Sequence, residues 1–363
     1  MNSSSESTEE RITRLHGQGM IDLHFDLPMV LYDNRDRKNV LASHFLPELE
    51  AGDIGTVAAA IYIEDQYVPD KALEVALGQV ARMYVEVEYC DRFAICRSYA
   101  EIKRARAQGK IALLIAMEGA EPLGNDLNLL RIFYELGLRV IGLTHARSNA
   151  AGSGSVFSPT ESSPEGLTGF GCELVRECER LGLILDLAHI NQAGFDDILA
   201  NTTGPVIVSH TNARKYYDIE RNISNEQIKM VGARGGVIGI NSILVSSKKE
   251  DATLDRYVDH LTHVIDLIGL DGIGIGFDFL EFIYRRWSED ERAKFHQRFP
   301  NVHFIPDLLH HGQARNLTAK LIERGFNDGE IEKILFRNQT LAPVQALKSA
   351  SHRELFSGEV DEV

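Results

Sequence analysis

The sequence predicts an α/β protein, a (β/α)8 barrel of the TIM type, and three observations predict it. Eight short runs rich in Val, Ile and Leu recur along the 363 residues. Segments with helical periodicity separate most of them. Six of the eight runs close on a residue able to bind a metal. Apolar runs of that length suit strands covered on both faces, and strands alternating with helices imply a parallel sheet. Eight such units imply closure, and a closed parallel barrel gathers all its strand ends on one face. An open doubly wound sheet would offer one switch point instead, and no G-x-G-x-x-G follows the first run.

The elements follow in order. The first run, Ile21–Asp26, closes on His24-Phe25-Asp26, and the second, Gly55–Ile63, has no such ligand. Helical patterns over 70–90 and 100–108 lead to the third, Ile111–Glu118. A helix over 127–136 precedes the fourth, Arg139–His145. Leu167, Phe170, Leu174, Val175 and Cys178 share one face and predict a helix over 167–181 before the fifth run, Leu183–His189. The sixth is Pro205–His210. Ser224-x-x-Gln227 is a capping box that opens a helix over 224–233, and the seventh run, Gly235–Asn241, follows it. An amphipathic helix over 254–268 leads to the eighth, Ile273–Asp278. Two long loops, 146–164 and 280–301, fall on the catalytic face, where long loops serve as lids or specificity elements; plain surface excursions are the alternative. The second carries Trp287 beside Arg285 and Arg286.

One domain is expected over 16–350, between a flexible Ser- and Glu-rich tail over 1–15 and an acidic tail over 351–363. The net charge of −15 opposes a nucleic-acid partner, whose phosphates would be repelled. Cys90, Cys96, Cys172 and Cys178 form no C-x-x-C pair and are expected to be free thiols. No run approaches ~18 apolar residues, and neither a signal peptide nor a lipid-anchor signal is visible. A cytoplasmic enzyme without membrane attachment is the expectation.

The strand ends carry the chemistry. On a strand, positions i and i+2 point the same way, so His24 and Asp26 can reach one ion. Glu118 is costly to bury at the end of an apolar strand unless it pairs or coordinates a cation; its two oxygens would bridge two metals. His189 and His210 each follow an apolar run and precede a polar loop. Imidazole and carboxylate ligands suit zinc, with manganese, cobalt or iron also admissible. Asp278 would take a proton from the attacking water and pass it to the leaving amine, or act as a plain ligand. His145 reads as a donor to the developing oxyanion rather than as a ligand. Two divalent ions bring about +4, which Asp26, Glu118, Asp278 and a hydroxide balance. His260 and His263, at i and i+3 on a helix, are expected to be partly exposed and inert. His16, His310 and His311 lie outside the strand ends, and Met29, Met83 and Met117 read as packing.

At this point the chain resembles the membrane (renal) dipeptidase family of zinc metallopeptidases, within the amidohydrolase superfamily. The segments that carry the resemblance are Asp22-Leu-His-Phe-Asp-Leu-Pro28, Ala116-Met-Glu-Gly119, Leu138-Arg-Val-Ile-Gly-Leu-Thr-His145 and Leu185-Asp-Leu-Ala-His189. Ser209-His-Thr-Asn-Ala-Arg214, Arg221-Asn-Ile-Ser224, Arg234-Gly-Gly-Val-Ile-Gly-Ile240 and Gly274-Ile-Gly-Phe-Asp278 complete it. The resemblance implies two zinc ions, one on His24 and Asp26, the other on His189 and His210, with Glu118 bridging. It implies a proton-handling role for Asp278 and substrate contact by His145. Arg221 would bind the substrate carboxylate, and Tyr62 would line the pocket. No lysine occurs between Lys110 and Lys215, which leaves Glu118 as the bridge and separates the chain from the phosphotriesterase-like branch.

Two departures stand out. Ala58 and Ala59 replace bulky aromatic residues, which predicts a wider pocket near the second strand. Leu280-Glu281 replaces an Asp-Gly pair, and the loop beyond is expanded. The animal members are secreted and lipid-anchored; this chain shows neither signal and is similar to a soluble bacterial-type relative. The expected activity is hydrolysis of free dipeptides, with a D-residue tolerated at the C-terminal position. The alternative is another amide, an N-acyl amino acid or a β-lactam-like ring. A homodimer is compatible with the resemblance.

Overall fold

The computed structural model describes residues 6–157 and 164–337. The tail over 351–363 lies outside them, as does part of the first long loop. Nine parallel strands form one sheet: β1 (Met20–Phe25), β2 (Ile54–Tyr62), β3 (Phe93–Ile95), β4 (Ile111–Glu118), β5 (Leu138–Gly142), β6 (Ile184–Asp186), β7 (Val206–Thr211), β8 (Val237–Ile240) and β9 (Ile273–Ile275). Eight of them run in the order β1-β2-β4-β5-β6-β7-β8-β9, a nearly closed barrel, and β3 pairs with β4 off that path. The sequence reading missed β3, whose three residues are too short for a visible alternation.

Helices alternate with the strands: α1 (Thr8–Leu15), α2 (Leu27–Asp33), α3 (Leu46–Ala51), α4 (Ala72–Tyr89), α5 (Tyr99–Ala107) and α6 (Leu127–Glu135). They continue as α7 (Gly169–Leu181), α8 (Gln192–Asn201), α9 (Asn225–Ala233), α10 (Leu254–Ile268), α11 (Glu281–Tyr284) and α12 (Glu289–Arg298). The expected capping box is present, with Ser224 and Gln227 exchanging hydrogen bonds at the start of α9. Residues 8–15, expected in a flexible tail, instead form α1. Ile12 and Leu15 are buried there, and Arg11 and Arg14 pair with Asp328. Among the described residues no helix is long and apolar enough to cross a membrane.

The fifth and eighth runs end sooner than their apolar stretch. β6 stops at Asp186 and β9 at Ile275; three residues past each end, His189 and Asp278 adopt left-handed backbone at φ 65° and 55°. For non-glycine residues such conformations cost of order 1–3 kcal/mol and persist where the surroundings impose them. Between β9 and β1 the barrel is stitched by a side chain. Asp22 Oδ1 accepts from His24 N at 3.2 Å and Phe277 N at 3.0 Å, and Asp22 Oδ2 lies 2.8 Å from His311 Nε2. His311, read as inert from sequence, thus partners a fully buried carboxylate. Gly239 and Gly276 flank β7, where a Cβ on either would overlap the Ser209 carbonyl.

His260 and His263 are buried rather than partly exposed. His260 Nδ1 accepts from Ala213 N at 2.9 Å and its Nε2 donates to Val245 O at 2.8 Å, tying the loops after β7 and β8 to α10. Burial lowers this imidazole to about 4. The unfolded chain, with an ordinary histidine value of about 6.5, binds a proton that the folded chain excludes. Stability therefore falls as pH drops from about 6.5 toward 4. His260→Ala should cost about 2–4 kcal/mol at pH 7, through a cavity and two unpaired backbone groups. The gap to the parent should narrow by about 2 kcal/mol at pH 5. Urea unfolding at both values reads both effects; a gap that widens at pH 5 contradicts the neutral-histidine assignment.

Candidate metal centre

The barrel brings the expected residues to one point. His24 is the second-last residue of β1 that carries the strand, and Glu118 ends β4. Asp26 stands at the N-cap of α2 but makes no capping hydrogen bond. A capping aspartate is worth about 1 kcal/mol to a helix, so its withheld carboxylate points to another use. Its Oδ1 lies 3.6 Å from His24 Nε2, and Glu118 Oε1 lies 3.7 Å from the same nitrogen. Glu118 Oε1 is also 3.0 Å from His189 Nε2 and 3.4 Å from His210 Nε2. Ligands bound at 2.0–2.2 Å around a tetrahedral ion lie roughly 3.4 Å from one another. Separations of 3.0–3.7 Å are those of side chains that can share a bound ion. His145 also lies within reach of Glu118 and His189, and Asp278 within reach of His24 and His210.

The electrostatics fit a cation. Among the described residues, His24 Nε2 and Asp26 Oδ1 are buried without a hydrogen-bond partner. Burial alone would lower the His24 imidazole, yet Glu118, Asp26 and Asp278 raise it to about 10. Burial pushes the carboxyls of Glu118 and Asp278 upward. A site that favours charge on a buried histidine and disfavours it on buried carboxyls lacks positive charge, which divalent ions would supply. The donor set is all imidazole and carboxylate, as zinc prefers.

A second layer orients these groups. Asp186 accepts from Ala188 N at 3.0 Å and Ser209 N at 2.8 Å, and also binds the Ser209 hydroxyl. The Ser209 Oγ then accepts from His210 Nδ1 at 2.7 Å, leaving Nε2 as the lone-pair nitrogen facing the site. Asn241 Nδ2 donates to Asp278 Oδ2 at 2.9 Å. Neither contact was visible from sequence: Asn241 ends the one run after the sixth that lacked a ligand, and Asp186 sits inside an apolar strand. Asn241→Ala should lower kcat by about 10- to 100-fold, the usual cost of losing such an outer partner. Metal content measured on the same sample should stay unchanged, because the side chain of Asn241 bonds Asp278 and Ile243 N and none of His24, Asp26, Glu118, His189 and His210.

Arg221 Nη2 donates to His210 O at 2.8 Å and lies 3.0 Å from His189 Nε2, at the wall of the cleft. Tyr62 ends β2, its ring 4.7 Å from that of His145. Arg147, which the sequence reading passed over, clamps it: Arg147 reaches Tyr62 Oη at 3.4 Å, Glu121 and Asp65 at 2.7 Å each, and Ile63 O at 2.6 Å. Burial pushes the Tyr62 phenol up to about 12, so it stays a neutral donor.

The cleft holds about 450 Å³. The second long loop forms its roof as α11 and α12, with Leu280, Ile283, Trp287 and Phe299 facing it. Met29 lines it as well, beyond a packing role. Ala58 and Ala59 do not: they are buried in β2, and Ala59 lies three residues, roughly 10 Å, below Tyr62. Neither alanine borders the cleft, so neither shapes it directly.

Comparison with known proteins follows the same lines. Residues 9–288 match the model of the membrane dipeptidase family, peptidase family M19. The chain belongs to that family. Dipeptidase verJ of Clonostachys rogersoniana is 29% identical over 361 residues, covering 94% of this chain and 87% of the relative. Dipeptidase tcpJ of Claviceps purpurea is 30% identical over 312 residues, covering 82% and 68%. Among solved structures, dipeptidase AC, a family M19 metallopeptidase, superposes with a TM-score of 0.76 at 26% identity, covering 89% of this chain and 96% of that one. A metallopeptidase from Rhodobacter sphaeroides, bound to a phosphinate mimic of L-Ala-D-Ala, gives 0.77 at 26% identity, covering 89% and 97%. M19 members are metallopeptidases built on this barrel.

Proposed function

We propose that the chain is a dinuclear zinc dipeptidase that cleaves free dipeptides and accepts a D-residue at the C-terminal position. One observation carries the reading: His24, Asp26, Glu118, His189 and His210 converge from four strand ends around Glu118 Oε1, beside a buried guanidinium. In this reading His24 and Asp26 hold one ion, His189 and His210 hold the other, and Glu118 serves both. Bound zinc supplies Lewis acidity toward a carbonyl oxygen and acidifies water.

The chain's own residues do the rest. Asp278, held by Asn241 through Oδ2, keeps Oδ1 free to accept the proton of the attacking water and deliver it to the leaving amine. His145 is neutral, because burial lowers its imidazole, and donates its N–H to the developing oxyanion. Arg221 pairs with the terminal carboxylate of the substrate. That anchor sits beside the reacting centre and leaves room for only one residue beyond the scissile bond. Tyr62, fixed by Arg147, closes the cleft wall next to His145. The L-Ala-D-Ala mimic bound by the Rhodobacter sphaeroides relative supports acceptance of a D-residue.

A panel of L-Xaa-L-Xaa and L-Xaa-D-Xaa dipeptides with zinc-loaded protein tests the reading. Turnover of both stereoisomers is the expected result. Hydrolysis of an N-acetyl amino acid with no dipeptide turnover would move the assignment to another amide.

A further inference from the structure

Arg221 shares the cleft with Asp26, Glu118 and Asp278 and also with the apolar side chains of Phe157, Ile243, Leu244, Phe299 and Val302. We propose that the subsite for the C-terminal residue takes a large aliphatic or aromatic side chain. This rests on the dipeptidase reading and adds the substrate class to it.

Three contacts set the apolar wall beside the carboxylate anchor. Arg221 N donates to Val156 O at 3.2 Å, which places Phe157 next to the anchor. Asn222 Nδ2 donates to Leu244 O at 3.4 Å, and Asn212 Nδ2 to Ile243 O at 2.7 Å, which hold the loop after β8 against the Arg221 segment. The Phe157 ring lies 6.1 Å from that of His189, the same histidine that Arg221 Nη2 approaches at 3.0 Å. Phe299, just past α12, meets Phe157 edge-on at 4.8 Å and His145 at 6.0 Å. Ile243, Leu244 and Val302 form a small cluster separate from the barrel core, and Phe157 and Phe299 pack on it. All five border the cleft.

A substrate held by its carboxylate at Arg221 has its last Cα within one bond of that group. Its last side chain must therefore lie against this wall. The roof cations that border the cleft already face carboxylates: Arg298 is paired with Asp65 and sits 5.1 Å over the Phe299 ring, and the charge of Lys294 acts on Glu291, three residues before it. An apolar wall rewards each added methylene and penalises a charge left without a partner. The roof that supplies Phe299 and Val302 is the stretch after Asp278 where the chain departs from the family pattern.

The test is kcat/KM of the zinc-loaded full-length protein on Ala-Gly, Ala-Leu, Ala-Phe, Ala-Asp and Ala-Lys, with each chiral second residue in both L and D forms. Leu and Phe substrates should exceed Ala-Gly by at least about tenfold, with Asp and Lys substrates below it. Equal rates, or a preference for Gly, Asp or Lys, would overturn the subsite and leave the dipeptidase reading intact. No turnover of any member by protein carrying two metals would overturn both. Phe299→Ala should pull the Phe-to-Gly ratio toward one, and Phe157→Ala gives the same readout where the first variant fails to fold. A folded variant that keeps the full ratio would remove the assigned wall.

Discussion

Glu118→Gln should lose both its metal and its activity while the barrel stays folded. Glutamine keeps the shape of the side chain, removes its charge and replaces one oxygen by a donor. Glu118 Oε1 is the atom that approaches all three imidazoles, at 3.7, 3.0 and 3.4 Å. No other carboxylate does so among the described residues. Its replacement weakens both ion positions at once, whereas loss of Asp26 touches one. Metal ions contribute several kcal/mol of transition-state stabilisation, and each 1.36 kcal/mol is tenfold in rate. A fall in kcat/KM of at least about 10³-fold is therefore expected. Metal analysis, kcat/KM and a thermal melt on one sample separate the outcomes. A variant retaining two ions and a tenth of the parent rate would exclude the bridging role.

Arg221→Ala should act differently, raising KM steeply with metal content unchanged. The guanidinium touches His210 through its backbone carbonyl and lies 3.0 Å from His189 Nε2, and it has no lone pair to give to an ion. Its proposed partner is the substrate carboxylate. Truncating one side of a buried charged pair costs about 2–5 kcal/mol, so kcat/KM should fall by about 30- to 5,000-fold. An amidated dipeptide, which lacks the carboxylate, should be turned over poorly by both proteins, with little difference between them. Unchanged KM in the variant would remove the anchoring role.

The barrel and its six strand-end residues were legible because each rests on local pattern: an apolar run, then a polar residue that is costly to bury. The helices were legible for the same reason, down to the Ser224–Gln227 box. What sequence hid depends on contacts between distant segments. Asp22 reads as one more strand residue until His311 meets it across 289 positions. His260 lies on a periodic helix face that looks half-exposed, and only the loops after β7 and β8 bury it. Arg147 sits in a loop whose partners Asp65 and Tyr62 lie more than eighty residues earlier. The strand ends were drawn too long at His189 and Asp278, where left-handed backbone in non-glycine residues leaves no mark in composition. Ala58 and Ala59 drew attention as a departure from the family, but their depth in β2 keeps them out of the cleft.

Anomalous diffraction from crystals of the zinc-loaded protein, recorded on both sides of the zinc edge, tests the dinuclear centre most directly. Two zinc peaks are predicted, one between His24, Asp26 and Glu118, the other between Glu118, His189 and His210. A single peak, or a pair in which Glu118 touches only one ion, would contradict it.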